Sequence, residues 1–560
     1  MNAQPLRTGA PCPAPTFWSG GRGVLTCLLL SALWFGVTAW LRPLAIPDEG
    51  RYVGVAWDMF RSGDWRVPTL DGLPFFHKPP LFYWITAASM QAFGPSVMAA
   101  RAAPWLASVA MTTGLFAFVA RWVGVRQAWT SVVVLATLPL FYGASQYANL
   151  DQLVAGCITL AILGVAHAAL AGPQRHPAHA IDLTRATRAP RAVQGVRGVL
   201  AAAFVAAALG VLAKGLIGVV LPVLVLLVWG VLTRRLLKVL ALLLWAPGWA
   251  VFLAVVAPWF IAMHLQFEAF THYFFVVQHF NRFTSSGFNS PEPSWFYPAV
   301  LLVLTLPWSL WLLGWLRRSA ASGTETKTAT SPATAPSPTP DAAGVAVLMA
   351  VWTVSIAGFF SLPSSKLIGY ILPALPPLAF LIAQAAGRFR QRRWVMAGVA
   401  TAAFAALLCV GGVIAAHFHQ PKSNQALAAV LRAARQPGEP VLFLNSYYYD
   451  VMFLARVDAP VLVVDPWRAA DLAHDSWRRE LVDAARFAPA SAVRRLLRPD
   501  ELAPALCAAR SSWLIGTWPA TAPAWLAGQT PVHQFDGTAL WHLQPTSPAL
   551  RAALGCTAPV

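Results

Sequence analysis

The sequence predicts an α-helical polytopic membrane protein: a bundle of about 11 to 13 spans over residues 1–416, carrying a C-terminal extracytoplasmic α/β domain over residues 417–560. Three observations predict it. The chain is 57% hydrophobic and 11% charged, where an ordinary soluble domain is roughly 25% charged. Apolar stretches of about 18 residues or more recur from Val24 to Ala416, each long enough to cross a bilayer as a helix. At about residue 417 the composition changes, and the rest of the chain holds thirteen basic and eleven acidic side chains, the proportions of a soluble domain. A soluble protein of this composition would need several buried helices with no polar face.

The first span, Val24 to Ala45, reads as a retained helix. It is too long for a cleaved leader, it closes through Leu41-Arg42-Pro43 ahead of an acidic cluster, and no small-residue cleavage pattern follows it. The net charge of +19 is not a nucleic-acid signature, because the basic residues sit in short loops between spans. Arg121 and Arg126 form one group, the run from Arg175 to Arg197 another, then Arg234, Arg235 and Lys238, then Arg317, Arg318 and Lys327, then Arg388 to Arg393. Short cytoplasmic loops carry excess Lys and Arg, so all these groups, with Arg7 and Arg22 at the N-terminus, are assigned to the inside. Residues 46–95, the turns at Asn149 to Asp151 and near Lys214, the loop 264–294 and the turn Ser364 to Lys366 then lie outside.

Residues 319–343, rich in Thr, Ala, Ser and Pro, read as a flexible cytoplasmic linker. An odd number of spans from an inside N-terminus puts the terminal domain outside. In that domain Val441 to Asn445, Val461 to Asp465, Ser512 to Gly516 and Ala539 to Leu543 read as strands, and Arg478 to Leu497 as a helix. The six cysteines show no metal-ligand spacing. Only Cys507 and Cys556 are placed to meet in an oxidising compartment, and spacing alone does not pair them.

The chemistry concentrates outside. Of the eleven Asp and Glu in the first 416 residues, five (Asp48, Glu49, Asp58, Asp64 and Asp71) fall between positions 48 and 71. Charges near a bilayer are costly and tend to mark reaction or transport sites, so this cluster reads as functional and not as packing. Asp48 follows Pro47 at the outer end of the first span, where partial shielding suits a general base; Arg51 lies one helical turn on. A helix cap with a surface ion pair is the plainer reading of the same residues. Lys78, in Phe75-Phe76-His77-Lys78-Pro79-Pro80, is a point charge suited to phosphate, on a backbone fixed by two prolines, or a lysine snorkelling at the interface. Asp151 is the only carboxylate between Asp71 and Asp182, and an N-cap turn explains it cheaply. The outer loop adds His272, Gln278, His279, Asn281 and Arg282, and the last turn adds Lys366 and Tyr370. Together they put carboxylates and cations on one membrane face, a pattern that suits an anionic, phosphate-bearing lipid.

The motifs Ile46-Pro-Asp-Glu-Gly-Arg-Tyr52, Met59 to Pro68 and Phe76-His-Lys-Pro-Pro-Leu-Phe-Tyr-Trp84 resemble the first outer loop of the bacterial lipid A aminoarabinose transferases. These are polyprenyl-phosphate-sugar glycosyltransferases of the GT-C fold, more distantly related to protein O-mannosyltransferases. The resemblance continues through Leu150-Asp151, Ala213-Lys-Gly215, Gln278 to Phe283, Trp295 to Trp308 and Lys366 to Pro373, in order over most of residues 24–386. It implies an inverting transfer at a bacterial inner membrane, from a polyprenyl-phosphate-linked sugar to lipid A or another envelope glycan. It implies that Asp48 deprotonates or orients the acceptor hydroxyl and that Asp151 assists. Arg51, Lys78, Arg282, Lys366 and Tyr370 would surround the donor phosphate, and an apolar groove would hold the polyprenyl chain. Fixed cations on the departing phosphate would be the main electrostatic contribution.

One departure stands out. These transferases usually carry Glu before Lys-Pro-Pro, linked to a metal site and to recognition of the substrate amine; this chain has His77. His77 and His279 are the candidate ligands for a divalent metal, zinc or magnesium, but a histidine would not pair with an amino sugar in the same way. Two other classes fit the charges: a lipid-linked-sugar flippase or transporter, for which no internal repeat is visible, and a scaffold in which the terminal domain does the binding.

Overall fold

The computed structural model describes residues 20–171, 189–281, 291–322, 340–389, 391–419, 423–472, 475–518 and 523–556. Most of the basic run from Arg175 to Arg197 and most of the 319–343 linker lie outside them. Seven described helices are long and apolar enough to cross a membrane: Ala102–Trp122, Leu150–Leu170, Gly195–Lys214, Ala246–Gln266, Asp341–Ser361, Ile368–Ala386 and Arg392–Phe418. Two further apolar runs are bent, by 68° between Val125–Ala136 and Pro139–Ser145 and by 108° between Phe296–Leu304 and Ser309–Arg317. Pro139 at the first turn of one and Pro307 in the break of the other cannot continue the preceding helix. Gly21–Gly36 and Ile217–Leu232 are shorter apolar helices of 16 residues each. The result is a helical, multi-pass membrane protein. Leu150–Leu170 is its central helix, buried over nearly its whole length, while Arg392–Phe418 buries only Ala405, Cys409 and Val413.

Small residues set the helix spacing at the centre. A Cβ on Gly218 would stand 2.4 Å from the Gly210 carbonyl carbon, so the helices Ala189–Lys214 and Ile217–Leu232 meet backbone to backbone.

At one end of the bundle Asp48–Ser62 forms an amphipathic helix, followed by a two-stranded ribbon, Thr69–Leu70 against Leu73–Pro74, and the helix Leu81–Phe93. The C-terminal region packs on that same end: Trp57 donates to the Val457 carbonyl at 3.2 Å, and Arg495 to the Gly72 carbonyl at 2.7 Å. Its six-stranded sheet runs in the order Leu496–Leu497, Leu462–Val464, Val441–Leu444, Ser512–Thr517, Thr538–Leu543, His533–Phe535. The first four are parallel and the last two join antiparallel. The segment expected as one helix from Arg478 to Leu497 instead holds a helix at Trp477–Ala485, a single turn at Pro489–Ala492 and the edge strand. Pro489 stops the helix, and Leu496 and Leu497 gain a strand partner that sequence periodicity does not reveal. Cys507 and Cys556 form a disulfide, Cα atoms 5.7 Å apart, tying the last helix Pro548–Leu554 to the sheet domain.

Candidate active site

Asp48 and Glu49 open the same helix, whose N-terminus favours carboxylates, but successive residues point about 100° apart on a helix. Glu49 turns inward and is fully buried. It accepts the amides of Ala45 and Ala148, both at 2.8 Å, the Arg101 Nε at 2.9 Å, and pairs with Arg42 at 2.6 Å. Burial pushes its carboxyl up, yet Arg101 and Arg42 outweigh burial and hold it below the usual range. Asp48 turns outward; its side chain is 43% exposed and meets the Arg51 guanidinium at 2.9 Å.

Arg51 is nearly enclosed. Its other terminal nitrogen pairs at 2.7 Å with Glu480, from the terminal domain, which also accepts the Tyr449 hydroxyl at 2.5 Å. The guanidinium lies over the rings of Tyr52 and Tyr449, at 5.6 and 5.5 Å. The Arg51 Nε is buried and meets no acceptor among the described residues, and the same holds for the buried hydroxyl of Tyr83, which senses Tyr52, Arg51 and Glu480. Tyr147 closes the other side, beside Asp48, with Arg42 5.5 Å from its ring.

Asp151 sits in the first turn of Leu150–Leu170, below an Asn149 side chain that accepts its amide at 3.0 Å. Its carboxylate pairs with Lys214, at the end of the neighbouring span, and Lys214 stands 4.4 Å from the centre of the Tyr370 ring. Gly369 is required here, since a Cβ would fall 2.2 Å from the Asp151 carboxylate. Lys214 thus brings Asp151 and Tyr370 together, a pairing the sequence does not reveal. Lys366 is 4% exposed and donates to the Glu292 carbonyl at 2.6 Å, so it clamps two distant segments together.

Lys78 is half-buried between His77 and Pro79. His77 stacks on Phe75, centroids 4.5 Å apart and planes within 10°, with the Tyr273 ring at 5.9 Å. Tyr273 belongs to a π-helical segment, His272–Asn281, and donates to Asp483 of the terminal domain at 3.2 Å while accepting from Gln278 at 2.9 Å. Arg282 and the side chain of His279 lie outside the described residues. Among the described residues no three His, Cys, Asp or Glu side chains gather closely enough to hold a metal ion, and the rings of Phe75 and Tyr273 flank His77.

The acidic cluster needs correcting as a functional unit. Besides Glu49, Asp58 and Asp71 are also buried. Asp58 pairs with Arg61 at 3.1 Å and accepts the Gly72 amide at 2.7 Å; Asp71 accepts the Val461 amide at 2.7 Å. They fasten the first loop to itself and to the terminal domain. Among the five, only Asp48 and Asp64 keep open carboxylates; Asp64 accepts the Arg66 amide at 2.9 Å and stands 3.8 Å from the exposed Arg66 guanidinium. The signals that sequence reasoning missed, Glu480, Tyr449 and Asp483, lie in the terminal domain and look there like ordinary soluble-domain residues.

Residues 77–176 match the family model described as dolichyl-phosphate-mannose-protein mannosyltransferase. An undecaprenyl phosphate-alpha-4-amino-4-deoxy-L-arabinose arabinosyl transferase of Aeromonas salmonicida is 32% identical over 351 residues, 62% of this chain and 56% of that protein. One of Sodalis glossinidius is 33% identical over 411 residues, 70% of this chain and 66% of that protein. The alignments thus span somewhat more than half the length of these curated relatives. The crystal structure of ArnT from Cupriavidus metallidurans bound to undecaprenyl phosphate superposes with a TM-score of 0.74 at 22% identity, covering 95% of this chain and 99% of that one. The chain therefore has that fold, bundle and terminal sheet domain included.

Proposed function

Taking its aminoarabinose transferase-like sequence and GT-C fold as premise, we propose that the chain is a membrane glycosyltransferase that moves a sugar from a polyprenyl-phosphate donor to lipid A or another envelope glycan. The bond from the anomeric carbon to the phosphate oxygen breaks, the acceptor oxygen bonds to that carbon from the opposite face, and polyprenyl phosphate leaves. Asp48 takes the acceptor proton. Arg51 and Lys78 hold the departing phosphate; the buried Arg51 Nε, without an acceptor among the described residues, supports the assignment of Arg51. Asp151, held by Lys214, orients the sugar hydroxyls, with Tyr370 beside it. His77 presents no carboxylate to pair with an amine on the sugar.

The site end faces the periplasm, with the terminal domain, and the N-terminus is cytoplasmic. Two observations support it: Arg121, Arg235 and Arg388 stand at the far ends of their helices from Asp151 and Lys214, and Cys507–Cys556 suits an oxidising compartment.

The observation that carries the reading is the half-open Asp48 beside an enclosed Arg51, where four distant segments converge. Asp48→Asn in nanodiscs tests it. Transfer falls about 10²–10⁴-fold, the usual cost of losing a general base, while donor binding and thermal stability stay at wild-type values. Near-normal turnover would end the assignment.

A further inference from the structure

At the end of the bundle away from Asp48 and Asp151, an open cleft of about 440 Å³, counted to its mouth, lies between the helix Ser309–Ser322 and the start of Arg392–Phe418. Leu310, Trp311, Gly314, Phe389 and Trp394 line it. Tyr370, beside Lys214, stands at the start of Ile368–Ala386, and Arg388 and Phe389 follow its other end, roughly 25 Å of helix away. Three rings form the back wall: Trp311 stands 5.7 Å from Phe389 and 6.1 Å from Trp394, and those two are 5.2 Å apart. The Trp311 indole N–H donates to the Thr401 hydroxyl at 3.2 Å, which pins the wall to the last span. The floor is open at Gly314, where a Cβ would meet nothing within 4 Å.

Arginines crowd the rim. Arg388 stacks on Trp315 at 4.7 Å and Arg393 on Trp394 at 5.7 Å. Arg317 follows Leu310 and Gly314 on one face of their helix, and Arg392 adjoins Arg393; all four arginines are exposed. A guanidinium stacked by its face keeps its in-plane N–H groups for an acceptor. The chain offers few. Arg393 donates one N–H to the Gln391 side chain at 2.9 Å. From Leu304 to His417 the only acidic residues are Glu325, outside the described residues, and Asp341, which pairs with Arg235 at 3.3 Å. Leu310, Leu313, Val395 and Val399, all exposed, continue the apolar surface of the cleft along both helices. Topology alone asks for positive charge at this end; it does not ask for arginines stacked on tryptophans around an apolar slot.

We propose that this cleft seats an anionic phospholipid of the leaflet opposite the site, its acyl chains along the exposed leucines and valines and its phosphate among the guanidiniums. Basic pockets between spans suit such headgroups. Charge complementarity selects the occupant: arginine is a two-pronged donor to phosphate, whereas a choline headgroup would bring a further cation among four. The seat has a mechanical consequence. Arg392–Phe418 is the least enclosed of the seven long spans. A lipid shared between its first turn and Ser309–Ser322 holds that span against the bundle. The inference is independent of the sugar-transfer reading, because it concerns the other membrane face.

The test uses the full chain in nanodiscs, with a trace of photoactivatable phosphatidylglycerol or phosphatidylcholine of the same acyl chains. Phosphatidylglycerol should label the peptides holding Trp311 and Trp394 about tenfold more strongly, the scale of one charge-assisted contact. Arg388→Gln combined with Arg393→Gln should remove that preference, while Arg317 and Arg392 keep this end basic. Gly314→Phe fills the open floor and replaces a poor helix former; it should cut labelling of these peptides by both probes and leave labelling elsewhere unchanged. The unsubstituted protein should melt higher in nanodiscs of phosphatidylglycerol than of phosphatidylcholine, and neither variant should tell the two lipids apart. Equal labelling by the two probes overturns the proposal. So does a preference that survives the paired Gln variant, since the arginines would then mark topology only. Labelling unmoved by Gly314→Phe removes the cleft, and melting indifferent to the lipid removes the clamp on the last span.

Discussion

The Glu49 carboxylate accepts the Ala148 amide at 2.8 Å, across 99 residues of sequence. Asp48 is the neighbour of one partner and Asp151 lies three residues beyond the other. The bond therefore sets the spacing between the two carboxylates proposed to do the chemistry. Glu49 is fixed in turn by Arg42 and Arg101, and Arg101 also donates to the carbonyls of Ala39, Arg42 and Pro43 at 2.8 to 3.0 Å.

Glu49→Gln should accordingly behave as a folding variant. It leaves two guanidiniums without their buried counter-charge, a loss of about 3–5 kcal/mol. Thermal unfolding in detergent should show a marked drop, and whatever remains folded should bind donor poorly. The carboxyl is held below its usual value, so its contribution is present at neutral pH and is lost as pH falls through that lowered value. A Glu49→Gln protein with wild-type melting but no turnover would make Glu49 catalytic and this account wrong.

Asp151 and Lys214 form a pair whose members should not act independently. Asp151→Asn removes the charge partner of Lys214, and Lys214→Ala removes that of Asp151. A double-mutant cycle on transfer rate should give a coupling of about 1–3 kcal/mol, with the double variant little worse than either single. Strict additivity would show that the two meet without acting together.

How much of this was legible in the sequence depends on the range of the interaction. The spans could be read because about 18 consecutive apolar residues have few other uses. Their bends could not, because an apolar run carries no direction; only Pro139 and Pro307 hinted at the breaks. Asp48, Arg51 and Asp151 stood out as charges in an apolar setting. Asp58 and Asp71 stood out for the same reason and were misread: Asp58 is taken up by Arg61, Thr69 and Gly72 of its own loop, and Asp71 by the Val461 amide, which arrives with the terminal domain from 390 residues away. Glu480 was invisible for the converse reason: in an amphipathic soluble-type helix a glutamate is unremarkable until its partner is known.

Asp71 should make stability depend on pH in a definite direction. Burial pushes its carboxyl well above the usual range and the neighbouring Asp58 pushes it further, against the Val461 amide, Arg495 and Arg61. Tyr447 of the terminal domain also faces the pair. One Asp71 oxygen is buried with no hydrogen-bond partner among the described residues, as suits a protonated group. Such a group stabilises the fold fully below the ordinary aspartate value, and the contribution is lost as pH rises through the raised one. Asp71→Asn keeps an acceptor for Val461 and tolerates the positive φ of 55° at this position. Melting measured from about pH 5 to about pH 8 should therefore show a flatter dependence and a higher midpoint at the alkaline end. An unchanged slope would mean that Asp71 is charged in the folded protein.

Glu480 tests whether the terminal domain belongs to the site or merely sits on it. Its carboxylate is 4% exposed, meets Arg51 at 2.7 Å and takes the Tyr449 hydroxyl, so it divides the guanidinium between two domains. In Glu480→Gln the neutral side chain can still accept from Tyr449 but no longer balances a buried cation. Arg51 is left with Asp48 as its counter-charge, and the carboxylate proposed to take a proton is drawn into a tighter pair. Two effects should appear together. The terminal domain should become more open to limited proteolysis, because breaking a buried ion pair costs about 3–5 kcal/mol. The transfer rate should fall about tenfold or more in kcat, the step that uses Asp48, with a smaller change in donor KM. Arg51→Lys in the Glu480→Gln background should recover little, because an ammonium cannot span Asp48 and the phosphate in two directions as a guanidinium does. If Glu480→Gln loosens the domain while kcat stays normal, the terminal domain is a structural cover, and the charge on Arg51 is set within the membrane domain alone.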